Sequence, residues 1–287
     1  MHVKTDGKGG SFIYKGGDRM NFLRICRYLY TKKLFGEIVL FIQLICMLEM
    51  SFVVLKPVDS YLMEKKQLKA AYVSDFDSMV HFSKNNLIYE QEMKGNGAAA
   101  QEIYKLLLEA DDVEKVDRCA FENGTYIKTD GKKSNANLVM YSSEMLDIIR
   151  LNIEPEIQEN VSAGCIPILV SSSMAEELPV GTRTEISLAF DDTIKISCEV
   201  AGILQRDSAV PVVFSYGDTM ELGNMAILPE ALSEYKFVVF AKDMDELFDQ
   251  LTNVNFLIEP KNNISGEKLA VSLQDRMKNY GTVNTYK

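Results

Sequence analysis

Histidine is nearly absent from this sequence, so most of the chemistry that depends on it is excluded. His2 and His81 are the only two, and no Cys/His pair has the spacing of zinc ligands. Acid pairs such as Asp111-Asp112 are adjacent, so their side chains diverge, and the spacing of a calcium-binding loop is missing. No metal ion and no cofactor is therefore expected.

Motifs of nucleotide-dependent and hydrolytic enzymes are also missing. The sequence has no GxxxxGK[ST] loop for ATP. Ser171, Ser172 and Ser173 follow an apolar stretch without forming GxSxG. The sequence therefore predicts a protein that is not an enzyme.

Basic residues are scarce in most of the chain. The net charge is −10, but residues 1–55 hold eight Lys/Arg against four Asp/Glu, which leaves 23 basic and 37 acidic groups in the remainder. A basic stub followed by an acidic body is typical of a membrane anchor with a solvated head. Because the body lacks a basic footprint, nucleic acid is excluded as its partner.

Only one apolar run is long enough to cross a membrane. Leu34–Leu55 has 22 residues. As a helix it would span roughly 33 Å, and a hydrocarbon core is about 30 Å thick. No small-x-small cleavage site follows promptly, so a retained transmembrane helix is favoured over a cleaved signal peptide. No later apolar run is of comparable length, so residues 56–287 are predicted to form a water-soluble extracellular domain.

Polar residues interrupt the predicted span at Glu37, Gln43 and Glu49. Glu37 is close enough to one end to reach the interface. An ionisable group at the depth of Glu49 is costly and usually faces other helices or water. Two interpretations stay open: Glu49 and Gln43 contact partner helices, or Glu49 snorkels to the outer surface.

Four basic residues precede the span: Arg24, Arg27, Lys32 and Lys33. They favour a cytoplasmic N-terminus. The lysines on the other flank weaken this inference: Lys56, Lys65, Lys66 and Lys69. Residues 20–33 are predicted to form an amphipathic helix on the inner membrane surface, with a plain juxtamembrane turn as the alternative.

Residues 1–19 are rich in Gly and Lys and have no hydrophobic periodicity. The stretch Lys15–Asp18 can be encoded by a bacterial ribosome-binding sequence, and Met20 follows shortly after it. We therefore expect residues 1–19 to be a non-native leader, Met20 to be the true start, and the source to be bacterial.

The extracellular domain alternates strand-like and helix-like segments. The sequence predicts a helix at Ala98–Ala110, a turn at Glu122–Gly124, a strand followed by a helix from Ile166, a hairpin through Asp191-Asp192, and a last helix capped by Ser265. The predicted fold class is α+β. One N-terminal transmembrane helix precedes a mixed α/β domain of two βα-type half-domains, with a β-rich insert at about residues 155–232.

Five cysteines cannot all pair within the chain. Cys26 and Cys46 lie in or beside the apolar segment, whereas Cys119, Cys165 and Cys198 lie in the extracellular domain. Free thiols and a single disulfide within the domain both stay open.

Residues 166–204 contain a distinctive order of elements. An apolar strand, Ile168–Val170, leads into a helix that starts at Ser171 and contains Ala175; Gly181 follows, and a strand pair ends in Gly202-Ile203. This pattern resembles the extracellular domains of FtsX-like ABC permeases, including the macrolide exporter MacB and lipoprotein-release permeases.

The resemblance implies a non-catalytic membrane subunit that acts in export or mechanotransmission. A separate subunit would hydrolyse ATP, close to Arg24, Arg27, Lys32 and Lys33, and the cargo would be a peptide, a lipid or a small molecule. Permeases of this family have three further transmembrane helices. These would come from a companion chain or from a continued or split reading frame, or be missing from a single-pass relative. The alternative function is a single-pass, membrane-anchored sensor or ligand-binding module.

Overall fold

The computed structural model describes residues 17–73, 78–85, 88, 98–151, 161–188, 191–204, 209–213, 225–227, 229–251 and 253–285. The first sixteen residues of the predicted leader lie outside the described residues. So do residues 155–160, 189–190, 205–208, 214–224 and 228 of the predicted insert.

The first element is a single long helix, α1, Gly17–Ala71. The large apolar side chains between Leu23 and Met63 are exposed, because the residues of the apolar run point in all directions around the helix. The helix is long and apolar enough to cross a membrane, so the prediction of one N-terminal apolar helix is confirmed. The division into a juxtamembrane segment at 20–33 and a span at 34–55 stays a prediction. The chain separates into two compact units, residues 1–61 and 62–287.

The second unit is built on a nine-stranded mixed sheet with the order β11-β1-β10-β2-β3-β9-β4-β6-β5. Its strands are β1 Val80–Lys84, β2 Val113–Ile127, β3 Lys133–Tyr141, β4 Ile166–Val170, β5 Arg183–Leu188, β6 Asp191–Ile203, β9 Phe237–Phe240, β10 Val254–Pro260 and β11 Gly281–Thr285. A separate pair consists of β7 Val210–Pro211 and β8 Ala226–Ile227. The helices of this unit are α2 Ala98–Leu108, α3 Ser143–Ile148, α4 Pro229–Glu234 and α5 Gly266–Met277.

Strand β2 changes partner half-way along its length. Residues Val113–Ala120 pair with β10, and Gly124–Tyr126 pair with β5. Because β2 also pairs with β3, the pairings close a ring of six strands, β2-β3-β9-β4-β6-β5. The turn predicted at Glu122–Gly124 is therefore wrong, since the strand runs straight through it. A Cβ at Gly124 would collide with the side chain of Leu138, so glycine is needed here for close approach of the strands and not for a turn.

Two apolar clusters cover the two faces of the sheet. The first contains Ile103 of α2 and Leu269 of α5, together with the side chains inside the ring. The second contains Leu68 at the end of α1, Met145 of α3 and Leu232 of α4. Because helices cover both faces, polar residues on either face of the central strands are taken out of water.

Several local predictions can be compared with the structure. The helix at Ala98 is confirmed as α2. Strands β5 and β6 pair as predicted, but Asp191 and Asp192 belong to β6 itself and do not form the turn. Ser265 caps α5 by accepting a hydrogen bond from the Lys268 N–H at 3.4 Å. The helix predicted after β4 is wrong, since a single 3-10 turn, Ser172–Met174, replaces it. A mixed α/β domain after a long apolar helix is confirmed, whereas its division into two half-domains with an insert stays a prediction.

Candidate functional site

Gln43 and Glu49 lie on the same uninterrupted helix but point in different directions. Six residues at about 100° each leave the two side chains roughly 120° apart around the axis. Glu49 lines a shallow groove with Cys46, Met50 and Val53. The structure therefore does not bring Gln43 and Glu49 together, and a single neighbouring helix packed on one face of α1 would not contact both.

The basic residues before the span are also spread around the helix. Counted at about 100° per residue, Arg24 and Arg27 lie roughly 60° apart, and Lys33 lies on the opposite side from Arg24. The Lys32 ammonium lies 5.2 Å from the centre of the Tyr28 ring, which is a cation–π distance. These basic residues are therefore distributed around the helix axis and do not form a single charged face.

The family-like residues hold β4, β6 and β9 together. Ser171 is fully buried, and its Oγ accepts a hydrogen bond from the Phe237 N–H at 3.0 Å. Gly181 has a φ of +83°, which favours glycine, and it donates to the Val200 carbonyl at 2.8 Å. Ala175 ends the 3-10 turn that follows Ser171.

Gly202 lies where β6 is irregular. Ile168 of β4 pairs with Val200, but the next residue, Leu169, pairs with Gly202, so one residue of β6 is bulged out. The irregularity bends the strand inside the ring. Gly202, Ser171 and Gly181 thus shape the backbone and the pairing of these strands.

Glu177 accepts hydrogen bonds from three side chains, two at the end of β2 and one just before β9. Its carboxylate accepts hydrogen bonds from Lys236 at 2.7 Å, from Lys128 at 2.9 Å, and from the hydroxyl of Tyr126. The hydrogen bond from Lys236, followed by that from Tyr126, lowers the pKa of Glu177 to about 2. The carboxylate therefore stays ionised and ties the 3-10 turn to β2 and β9.

The end of α1 is part of the folded domain. Leu68 is fully buried, and the Ala71 carbonyl accepts a hydrogen bond from the Arg150 N–H at 2.7 Å. The Tyr72 hydroxyl, directly after the helix, donates to the Met225 carbonyl at 2.8 Å. Both a main-chain and a side-chain hydrogen bond thus attach this end of the helix to the domain.

Buried ionisable groups lie on the same side of the sheet as the end of α1. Asp117 is fully buried; burial, and next the charge of Glu259, raise its pKa to about 8. His81 is buried two strands away, and burial lowers its pKa to about 4. Both groups are therefore neutral at pH 7, which reduces the cost of burying them.

All five cysteines are free thiols in the structure. Cys26 and Cys46 are exposed, Cys119 and Cys198 are buried, and Cys165 is half-buried. Burial raises the pKa of Cys119 to about 12 and that of Cys198 still further, so neither is a reactive thiolate at neutral pH. Within the described part of the chain, no group of three or more His, Cys, Asp or Glu is placed to hold a metal ion.

Sequence reasoning missed three charged residues that the fold takes wholly or partly out of water: Asp117 is fully buried, and the side chains of Arg118 and Glu177 are 13% and 27% exposed. Asp117 and Arg118 follow one another on β2, so they point to opposite faces of the sheet. Neither residue stands out in the sequence, because β2 also carries Glu114, Lys115 and Glu122. Nothing in the sequence indicates that both faces of this strand are covered.

Solved structures similar to this chain are domains of transporters. No family model matches the chain, and neither does any curated protein. The extracellular domain of the noncanonic ABC-type transporter YknZ from Gram-positive bacteria has 14% identity and a TM-score of 0.39; the match covers 73% of this chain and 98% of that one. A domain of a candidate permease from Porphyromonas gingivalis has 15% identity and a TM-score of 0.35, with 72% and 87% covered.

The periplasmic region of MacB from Actinobacillus actinomycetemcomitans has 10% identity and a TM-score of 0.34, with 70% and 82% covered. MacB belongs to the family that residues 166–204 resemble.

Proposed function

We propose that this chain is a non-catalytic membrane subunit of an ABC transporter, made of the first span and the extracellular domain of an FtsX-like permease. The observation that carries the proposal is α1. Its apolar residues from Leu34 to Leu55 are exposed, and an apolar surface of this extent is stable only against lipid or other apolar helices. The pattern at residues 166–204 supports the choice of family.

Contacts with further membrane helices are part of the proposal. Glu49 and Gln43 lie roughly 120° apart on α1, so each would face a different neighbour. Those neighbours would belong to a companion permease or to additional spans. Arg24, Arg27, Lys32 and Lys33 would lie at the cytoplasmic surface beside a separate ATPase subunit.

Export or mechanotransmission would use the connection between α1 and the domain. Leu68 and Ala71 belong to the core of the second unit, and Ala71 is hydrogen-bonded to Arg150. A displacement of the domain core would therefore move this end of the helix. We also propose that residues 155–232 act as an insert whose strands β4, β5 and β6 complete the six-stranded ring.

Affinity purification of the full chain from native membranes tests the partners. We expect an ATPase subunit and a multi-span membrane protein to be recovered together. A photo-crosslinking residue at position 49 or 43 should capture protein. The same photo-crosslinking residue at Leu44, which points away from both Glu49 and Gln43, should capture lipid. If no ATPase is recovered and position 49 captures only lipid, the transporter proposal is wrong and the single-pass sensor or ligand-binding module is favoured.

A further inference from the structure

A cavity of about 370 Å³ lies on the α2 side of the sheet. Its walls come from α2, β2 and β10 and from the turn that follows β9. Its lining includes Gln101, Tyr104, Lys105, Arg118, Asp245 and Asp249. This volume is near the lower end of the range for small-molecule sites, so the cavity, named here the Arg118 cavity, fits a ligand the size of an amino acid.

The guanidinium of Arg118 lies close to two aromatic rings. Its Cζ lies 4.4 Å from the centre of the Tyr104 ring and 4.8 Å from that of Phe248. Tyr104 in turn stacks on Phe256 with ring centres 6.4 Å apart. Both distances to Arg118 are cation–π distances, and these contacts stabilise the guanidinium at this position.

Most of the hydrogen-bonding capacity of Arg118 is unused. The side chain is only 13% exposed, and Nη2 donates to Asp245 at 3.0 Å. Nε is buried and has no partner in the described part of the chain. A guanidinium has five N–H groups, and donors buried without acceptors are costly. The N–H groups of Arg118 that make no hydrogen bond therefore suit an anionic acceptor that enters the cavity. A carboxylate can accept from two such N–H groups at once.

Charges around the cavity favour a ligand with a single negative charge. Asp245 already neutralises part of the charge of Arg118, and Asp249 adds a second carboxylate while Lys105 adds a second cation. A doubly charged phosphate would meet both carboxylates, whereas a carboxylate needs only these N–H groups of Arg118. The exposed Asp249 side chain can accept a hydrogen bond from an ammonium group.

We propose that the Arg118 cavity binds the carboxylate of a small amino acid, either free or at the C-terminus of a peptide. The carboxylate pairs with Arg118. In a free amino acid the ammonium group also pairs with Asp249. This site does not depend on the proposed transporter function, and its absence would leave that proposal unchanged.

Calorimetric titration of the full chain in detergent with three probes tests the site. L-leucine carries both charges, N-acetyl-L-leucine carries only the carboxylate, and L-leucinamide carries only the ammonium group. We expect the two carboxylates to bind and the amide not to bind. Asp249→Asn should weaken binding of L-leucine but not of N-acetyl-L-leucine. If Asp249→Asn weakens the binding of neither compound, the ligand is the C-terminus of a peptide and not a free amino acid.

Gln101→Glu is the decisive variant, because Gln101 is half-buried on α2 and the change adds a competing carboxylate with little effect on folding. Affinity for N-acetyl-L-leucine should fall about tenfold or more, the size expected for a charged hydrogen bond. Asn135→Asp makes the same amide-to-carboxylate change at an exposed position on β3 and should leave the affinity unchanged. Equal binding of all three probes, no binding at millimolar concentration, or equal loss in both variants would overturn the proposal.

Discussion

Replacing Asp117 by Asn is expected to change how the stability of the second unit, residues 62–287, depends on pH. Asp117 and His81 lie in one row across β2, β10 and β1, because each pairs with Leu257 from its own side. The Nε2 of His81 has no hydrogen-bond partner among the described residues, and the carboxyl of Glu259 lies beside that of Asp117. The charged groups that act on Asp117 are Glu259, Lys115 and Glu144.

The two groups affect stability in opposite directions. The native pKa of Asp117 is raised to about 8, against about 3.9 when unfolded. Between these values the native state holds a proton that the unfolded state has lost, so stability falls as pH rises. The native pKa of His81 is lowered to about 4, against about 6.5 when unfolded. Between these values the unfolded state holds the extra proton, so stability rises with pH.

Each effect has a slope of up to about 1.4 kcal/mol per pH unit. From about pH 4 to 6.5 the two slopes oppose and nearly cancel, so the native protein has a flat profile there. From about pH 6.5 to 8 only Asp117 contributes, and stability should fall by up to about 2 kcal/mol. Asp117→Asn should remove this fall and show a rise with pH below about 6.5, whereas His81→Gln should show a fall over the whole range.

Urea unfolding of the full chain at a series of pH values measures these profiles. Urea is uncharged and does not screen the charges, and the fully buried Tyr126 and Tyr141 report on the domain through the tyrosine signal. The comparison uses differences between each variant and the wild type, so groups shared by both cancel. Parallel profiles for wild type and Asp117→Asn would show that Asp117 is ionised in the folded domain, and the reasoning would be refuted.

Three other substitutions test the ring of strands. Glu177→Gln should lower the free energy of unfolding by about 2 kcal/mol at pH 7, because hydrogen bonds from charged groups are lost. This difference should shrink as pH falls from about 4.5 towards 2, because the depressed pKa of Glu177 means that its contribution is lost in acid; urea titrations at pH 7 and pH 3 check both. Gly124→Ala should cost about 1–3 kcal/mol through overpacking, and adding Leu138→Val should recover part of it in a double-mutant cycle; additive losses would contradict the contact. Ser171→Ala should cost about 1–3 kcal/mol, because the Phe237 N–H loses its acceptor, whereas Ser172→Ala on the same turn should cost much less in thermal unfolding.

Features that depend on neighbours in the sequence could be predicted without the structure. The apolar run Leu34–Leu55 is long enough to determine a helix whatever surrounds it. Helix α2 has apolar residues at helical spacing, and Ser265 precedes α5 as a cap that acts within one turn. These signals are local, because the hydrogen bonds involved join residues three or four positions apart.

The path of β2 could not be predicted in this way. Asn123-Gly124 is a strong turn signal, yet both residues lie inside a strand whose neighbours are β3 and β5. Hydrogen bonding to strands on both sides outweighs the local preference of Asn-Gly for a turn. Because Gly124 has no side chain, Leu138 can pack against it. The same holds for the 3-10 turn after Ser171, whose hydroxyl accepts from Phe237, a residue far away in the sequence.

The sequence by itself determined the apolar anchor, the acidic domain that follows it, and the pattern at residues 166–204, because these depend on composition and on local order. The tertiary structure alone decided which charged residues are buried. Asp117 and Arg118 point to opposite faces of one strand, and both faces are covered by segments distant in the chain. The physical reason is that the burial of a side chain, and with it its pKa and its unused hydrogen bonds, depends on what packs against it from elsewhere in the fold.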